Sequence, residues 1–313
     1  MAIDLKNNVY CDGEGMPVVL VHGFPVDHRM WDKCAEELRK AAAKQGVKQF
    51  AIWAPDMPGA GEGPIPSDED SGGKDADGAF PYGLDRMADA YVDLLHEAGY
   101  DKAIWVGLSM GGYLILDIQR LHPEAVAALA LCDTKADADS AQMRVKRVAI
   151  AEECETTGTH EPVMGFAVPS DADSTVKRSE AYCRQFETWI NEQPAAGIAW
   201  RERMAAGRPD LNDVLPEIDV PVAVCKRMQM RLYHLRRQGS IQPSGRDGTG
   251  RRRDGEGRRV DDGGRRLRTF QRIRASRPGG RGAAGTGAPG RMTSWHTSIA
   301  RMSYEYRIYI ARI

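Results

Sequence analysis

Little in this 313-residue sequence points to a membrane, a metal or an oxidising compartment. The opening stretch MAIDLKNNVYCDGEG has no apolar core of the kind a secretion signal needs. No apolar run reaches the ~18 residues of a membrane-spanning helix. The six cysteines (Cys11, Cys34, Cys132, Cys154, Cys183, Cys225) form no Cys-x-x-Cys pair, and no His/Cys cluster has zinc-site spacing. These absences predict reduced thiols in a cytoplasmic protein, with no metal and no organic cofactor. An excess of one charge is also missing, since the net charge is −1. The total hides a split. Residues 226–313 carry 22 Lys and Arg against 6 Asp and Glu, whereas residues 1–225 carry 21 against 38. That division implies either an acidic enzyme with a basic tail or two segments of different origin.

What is present is a regular alternation. MPVVLVHGF reads as a buried strand running into a loop, and MWDKCAEELRKAAAKQG as a helix closed by glycine. FAIWAPDMPGAGEG is a second buried strand with a Gly/Pro loop. The polar, acidic PIPSDEDSGGKDADGAFP reads as a surface excursion. GLDRMADAYVDLLHEAG is an amphipathic helix, KAIWVGLS a third strand, MGGYLILDIQRLHP a helix and AVAALALCDT a fourth strand. Strands that are apolar throughout and alternate with helices predict an α/β fold, a mostly parallel sheet covered on both faces. From 134 to 215 charged helical segments replace the strands, and IDVPVAVC resumes the strand pattern at 218–225. The division expected is a first core part at 1–133, a helical cap at 134–215, a core strand at 216–225 and an irregular Arg/Gly-rich tail at 226–313.

The chemistry concentrates at Gly107-Leu108-Ser109-Met110-Gly111. This is G-x-S-x-G between a strand and a helix. A sharp turn there needs glycines two residues before and after the serine, where side chains would collide. The following helix N-terminus favours developing negative charge. Ser109 is the candidate nucleophile, and the alternative is an incidental serine in a Gly-rich turn. An oxyanion needs backbone donors, each worth ~3 kcal/mol. The Met110 N–H is one candidate. The Phe24 N–H, in the loop His22-Gly23-Phe24-Pro25, is the other. His22 precedes the nucleophile and reads as a loop-shaping residue.

The motifs VHGF, PDMPGAGEG, VGLSMGGY, LCDTKA and RPDLNDVLPEIDVPVAV, in this order, resemble the alpha/beta-hydrolase superfamily, closest to small capped esterases and enol-lactonase-like hydrolases. The resemblance covers about residues 1–225. It implies an alpha/beta-hydrolase fold and cleavage of a small ester, lactone or related acyl bond. A serine at the elbow argues against the haloalkane dehalogenases and epoxide hydrolases of that superfamily, which use aspartate. The family order is Ser, acid, His, with the histidine in a Gly-His loop. No Gly-His follows Ser109 here. Asp133 stands where some members carry the acid, with a strand-end cap as its plainer role. His122, His160, His234 and His296 read as structural or tail residues, and the base is not identified. Trp189 and Trp200 are candidate pocket walls or ordinary packing.

Three accounts of the tail compete: a disordered basic segment, an Arg/Gly nucleic-acid arm, and a frame shift just after Cys225. Back-translating 268–278 one nucleotide forward permits Gly-His-Ser-Ser-Ala-Phe-Glu-Arg-Pro, which matches the missing loop. The same shift at Arg231-Leu232 permits an Asp about where the acid belongs. The nucleic-acid account lacks the interleaved aromatics that make stacking platforms. The frame shift is therefore the favoured reading. It predicts that the chain as written is a very poor hydrolase, with β-edge exposure at VPVAV. A small acyl substrate is the expected partner, with no membrane. Other readings are a non-catalytic ligand-binding member of the fold and nucleic-acid binding through the tail.

Overall fold

Five strands rich in Val, Ile, Leu and Ala sit side by side and parallel, because runs apolar on both faces are stable only when covered on both. They are β2 (Gly15–Val21), β3 (Phe50–Trp53), β4 (Ala103–Leu108), β5 (Val126–Cys132) and β6 (Val222–Lys226). The computed structural model describes residues 3–171 and 173–226, with the backbone of 229–236 and 240–243. A short strand, β1 (Val9–Cys11), pairs antiparallel with β3. Beyond β6 the sheet continues antiparallel through β7 (Gln229–Arg236) and β8 (Ser240–Pro243). The order is β1-β3-β2-β4-β5-β6-β7-β8. The apolar edge expected at β6 is thus covered by β7, which satisfies the backbone groups that an edge would leave open. Residues 244–313 of the tail, including His296, lie outside the described residues, as do the side chains from 226 onward, His234 among them.

Three helices follow their strands in the expected order: α1 (Asp32–Lys44), α2 (Gly83–Glu97) and α3 (Met110–Leu121). α3 is buried along nearly its whole length, from Met110 to Gln119. Between β5 and β6 the chain holds α4 (Ala141–Thr157), α5 (Glu180–Asn191) and α6 (Ala195–Gly207), with a 3-10 turn at Glu161–Ala167. Ser140 and Ser179 cap α4 and α5 by accepting the Met143 and Tyr182 N–H groups. Gly158 ends α4 with φ 69°, a left-handed cap suited to glycine. α6 has no solvent face from Gly197 to Ala206, although it carries Arg201, Glu202 and Arg203. Its charges are answered locally. Arg147 donates to Glu202 at 2.6 Å, and the Asp139 carboxylate lies between Arg147 and Arg208. Arg208 in turn lies over the Tyr113 ring of α3 at 4.1 Å.

The acidic stretch expected to be a surface excursion is anchored at several points. Ser71, Ala79 and Phe80 are buried. Trp200 donates its indole N–H to Ser71 Oγ at 2.8 Å, Arg203 donates to the Gly78 carbonyl at 2.8 Å, and Arg144 pairs with Asp75 and Asp77. Asp75 and Asp77 are therefore counter-charges for Arg144 of α4, and the Gly78 carbonyl is an acceptor for Arg203 of α6. Composition alone could not show this, because the arginines lie at least 67 residues further along the chain.

Candidate active site

The turn between β4 and α3 has the geometry that its glycines demand. Ser109 takes φ 52° and ψ −109°, a left-handed conformation that L residues adopt at a cost of about 1–3 kcal/mol. A Cβ on Gly107 would lie 2.3 Å from the Gly111 carbonyl oxygen, and one on Gly111 would lie 2.3 Å from the Val21 carbonyl oxygen. Any side chain at either position would force strand, helix and neighbouring loop apart. The Ser109 N–H donates to the Cys132 carbonyl at 2.9 Å. Its own carbonyl accepts from the Gly112 N–H at 3.0 Å and from the Thr134 hydroxyl at 2.7 Å. The backbone of Ser109 is thus held on both sides, and its side chain is half-buried at the N-terminal end of α3.

The loop after β2 runs beside it. A Cβ on Gly23 would sit 3.7 Å from the Ser109 Cβ. His22 shapes this loop from beneath. Its Nε2 accepts the Met57 N–H at 2.9 Å and its Nδ1 faces the Gly23 carbonyl at 3.0 Å. Nε2 must be unprotonated to accept, which places the proton on Nδ1. Burial pushes the imidazole pKa down to about 4, against the opposing pull of Asp56, so the ring stays neutral. Both nitrogens are engaged and neither is available to Ser109.

Phe24 is buried, with its ring edge-on to Phe166 at 5.5 Å and under the Arg201 guanidinium at 5.5 Å. Arg201 has no exposed surface. It donates to the carbonyls of Pro25 (3.2 Å), Val26 (3.0 Å), Gly59 (3.3 Å) and Gly197 (3.2 Å). Burial pulls its pKa down to about 10, with Asp27 and Asp56 opposing. One cation therefore joins α6 to the loop that carries Phe24 and to the loop after β3. Gln193 makes a second junction. It donates to Asp27 at 2.8 Å and accepts from the Gly61 N–H at 3.0 Å, and its carbonyl accepts from His160 at 2.7 Å. The sequence reading missed Arg201, Gln193 and Phe166. For Arg201 a signal was present: it follows Ile198 by three and precedes Ala205 by four, on one helical stripe with two small or apolar residues.

The remaining candidates lie elsewhere. Asp133, with φ 40°, is exposed, and its N–H donates to the Cys225 carbonyl at 2.8 Å. His122 donates to Asp89 at 2.8 Å at the end of α3. Among the described residues no histidine is hydrogen-bonded to the Ser109 hydroxyl. Trp200 packs against Phe80 and Ser71, and Trp189 lies under Arg29, so the packing alternative describes both. Asp27, His28 and Asp56 offer ligand atoms within 4.8 Å of one another. Those oxygens already have donors: Arg29 and Gln193 on Asp27, the His28 N–H groups and Asn8 on Asp56. The His28 ring is pulled down by burial but raised more by Asp56, which favours its protonated form. That is the chemistry of an ion pair rather than a vacant metal site.

A model of the alpha/beta hydrolase fold matches residues 16–157. The described residues have the alpha/beta hydrolase fold. A thermophilic esterase from Thermogutta terrifontis is 28% identical, with a TM-score of 0.57 over 70% of this chain and 74% of that one. The enol-lactonase from Burkholderia xenovorans LB400 shares the fold at 21% identity, with a TM-score of 0.55 over 72% of this chain and 79% of the other. Lipase LipV of Mycobacterium tuberculosis is 28% identical over 144 residues, 46% of this chain. The chain spans 47% of that relative's length. No helix among the described residues is long and apolar enough to cross a membrane.

Proposed function

We propose that this chain is a serine hydrolase of the alpha/beta hydrolase fold, acting on a small ester, lactone or related acyl bond. The observation that carries the proposal is the left-handed Ser109 between β4 and α3, flanked by two glycines that close approach requires. In the proposed reaction Ser109 Oγ attacks the acyl carbonyl. The Met110 N–H at the start of α3 and the Phe24 N–H receive the oxyanion, where one such donor is worth ~3 kcal/mol. The Phe24–Phe166 pair offers an apolar wall for the acyl group. The esterase, lipase and enol-lactonase likenesses support this class of bond. The general base and its acid are assigned to the segment after Cys225, in the alternative reading frame. That assignment makes the chain as written a poor catalyst.

The test compares this chain with the product of a gene shifted by one nucleotide after codon 225, on an activated phenyl ester and a small enol lactone. The corrected protein is expected to turn over at least about 10³-fold faster, and Ser109→Ala should abolish the difference. Full burst activity in the chain as written, lost in Ser109→Ala, would show that the base is already present. Unchanged turnover by Ser109→Ala in the corrected protein would refute the nucleophile. One observation favours a second reading, a ligand-binding member without catalysis: no described histidine reaches the Ser109 hydroxyl. Tight binding of an ester analogue with no turnover by either protein would select it.

A further inference from the structure

Behind the elbow, three thiols gather where β5, β6 and α1 meet. Cys132 and Cys225 are register partners on neighbouring parallel strands. Register partners in a parallel pair point to the same face, and strand spacing sets their Cα atoms roughly 4.8 Å apart. That lies within the 4.4–6.8 Å range, approximately, that disulfides span. The two thiols influence one another, Cys132 being pushed well above and Cys225 below the ordinary thiol range. Cys34, buried on α1, lies close enough for its charge state to couple to both. Cys132 is buried, whereas Cys225 keeps some solvent exposure.

We propose that Cys132 and Cys225 form a reactive dithiol, a modification site at which a small-molecule disulfide closes an internal cross-strand bond. The two cysteines have different roles. Cys225 is the attacking thiol, because it is the more accessible. The neighbouring Cys132 side chain also lowers its pKa, which favours the thiolate. Cys132, buried and raised in pKa beside Cys225, stays protonated and resolves. In the first step the Cys225 thiolate attacks one sulfur of the small disulfide and expels one thiolate. In the second, Cys132 gives up its proton and attacks the Cys225 sulfur of the mixed disulfide, expelling the second thiolate. The protein loses two hydrogens, and the small disulfide becomes two thiols. Closure must draw the Cβ atoms to about 3.8 Å, nearer than the sheet spacing holds them. The bond is therefore strained and readily reduced. It also sits against the elbow, since the Cys132 carbonyl holds the Ser109 N–H and the Cys225 carbonyl holds the Asp133 N–H.

The test treats the folded full chain with a small-molecule disulfide and maps its peptides by mass. An internal Cys132–Cys225 crosslink that a dithiol reductant reverses is expected. Cys132→Ser should instead retain a mixed disulfide on Cys225, and Cys225→Ser should retain no modification on Cys132. A second probe, a trivalent phenyl arsenical, should bind one equivalent per chain with release of water, and either substitution should weaken it at least tenfold. Circular dichroism confirms that each variant is folded. A crosslink through Cys34, adducts confined to Cys11 and Cys183, or arsenical binding unchanged in both variants would overturn the proposal. None of these readouts depends on ester hydrolysis.

Discussion

The Thr134 hydroxyl donates to the Ser109 carbonyl at 2.7 Å, which fastens the elbow to the residues that follow β5. A Cβ on Gly112 would lie 2.3 Å from that same hydroxyl oxygen. The elbow is therefore packed against backbone and side chain on every side described, and its conformation is imposed from outside the turn.

That imposition has a stability signature. Ser109→Gly relieves the left-handed strain, while Ser109→Ala does not. The glycine variant should be more stable than the alanine variant by about 1 kcal/mol. Urea unfolding of the pair measures the difference. Equal midpoints would mean that the turn is not strained.

Gly111→Ala should act in the opposite sense. Its Cβ would meet the Val21 carbonyl oxygen at 2.3 Å, and backbone cannot move aside as a flexible side chain can. A loss of about 3 kcal/mol is expected, in the upper range for overpacking. Thermal unfolding followed by circular dichroism reads it.

Removing the Arg201 cation should loosen two loops at once. Arg201→Met leaves the Pro25, Val26 and Gly59 carbonyls without their donor, and each buried unmet acceptor costs ~1–3 kcal/mol. A loss of about 3 kcal/mol is expected, with faster amide hydrogen exchange in residues 23–27 and 57–61. Unchanged exchange there would show that other contacts hold these loops.

His22 sets a pH dependence. Its folded pKa is about 4, below the ordinary 6.5. Between those values the unfolded chain binds a proton that the folded chain does not. Stability should therefore fall as pH drops from 6.5 towards 4, by up to about 3 kcal/mol from this residue. His28 acts oppositely. Its pKa is raised, so its contribution is complete below 6.5 and is lost as pH rises through the folded value. Asp27, held down to about 2 by Arg29 and Gln193 despite burial, adds a further loss below pH 3.8. Denaturant midpoints across pH 4–8 for the parent and His22→Gln separate the first effect from the others.

The Asp139 carboxylate is nearly fully buried between Arg147 and Arg208. Asp139→Asn leaves two largely buried cations without their shared anion. It should cost about 3–5 kcal/mol, checked by urea unfolding.

The turn at Ser109 was legible because it is local. Strand, G-x-S-x-G and helix lie within about twenty consecutive residues, and each glycine has a steric reason. The parallel core was legible because β2, β4 and β5 are apolar from end to end. β1 was not, since three residues carry no period. The anchoring of residues 64–81 and the burial of Arg201 were hidden for another reason. Both depend on partners more than 60 residues away, and a charged residue in a sequence normally signals solvent. The short hairpin strands after Cys225 were obscured by the Arg/Gly composition around them.

The two junctions at Gln193 and Arg201 also bear on how this fold can be rebuilt. Helices between two sheet strands invite exchange for a relative's, as if they were a detachable module. Here the inserted helices supply donors to carbonyls of the core loop that carries Phe24 and to Asp27 beside it. A graft joined at β5 and β6 would arrive without those donors, and the recipient loops would have to find new ones. The core and its insertion are therefore structurally interdependent, and a chimera should preserve α6 and the loop after β2 together.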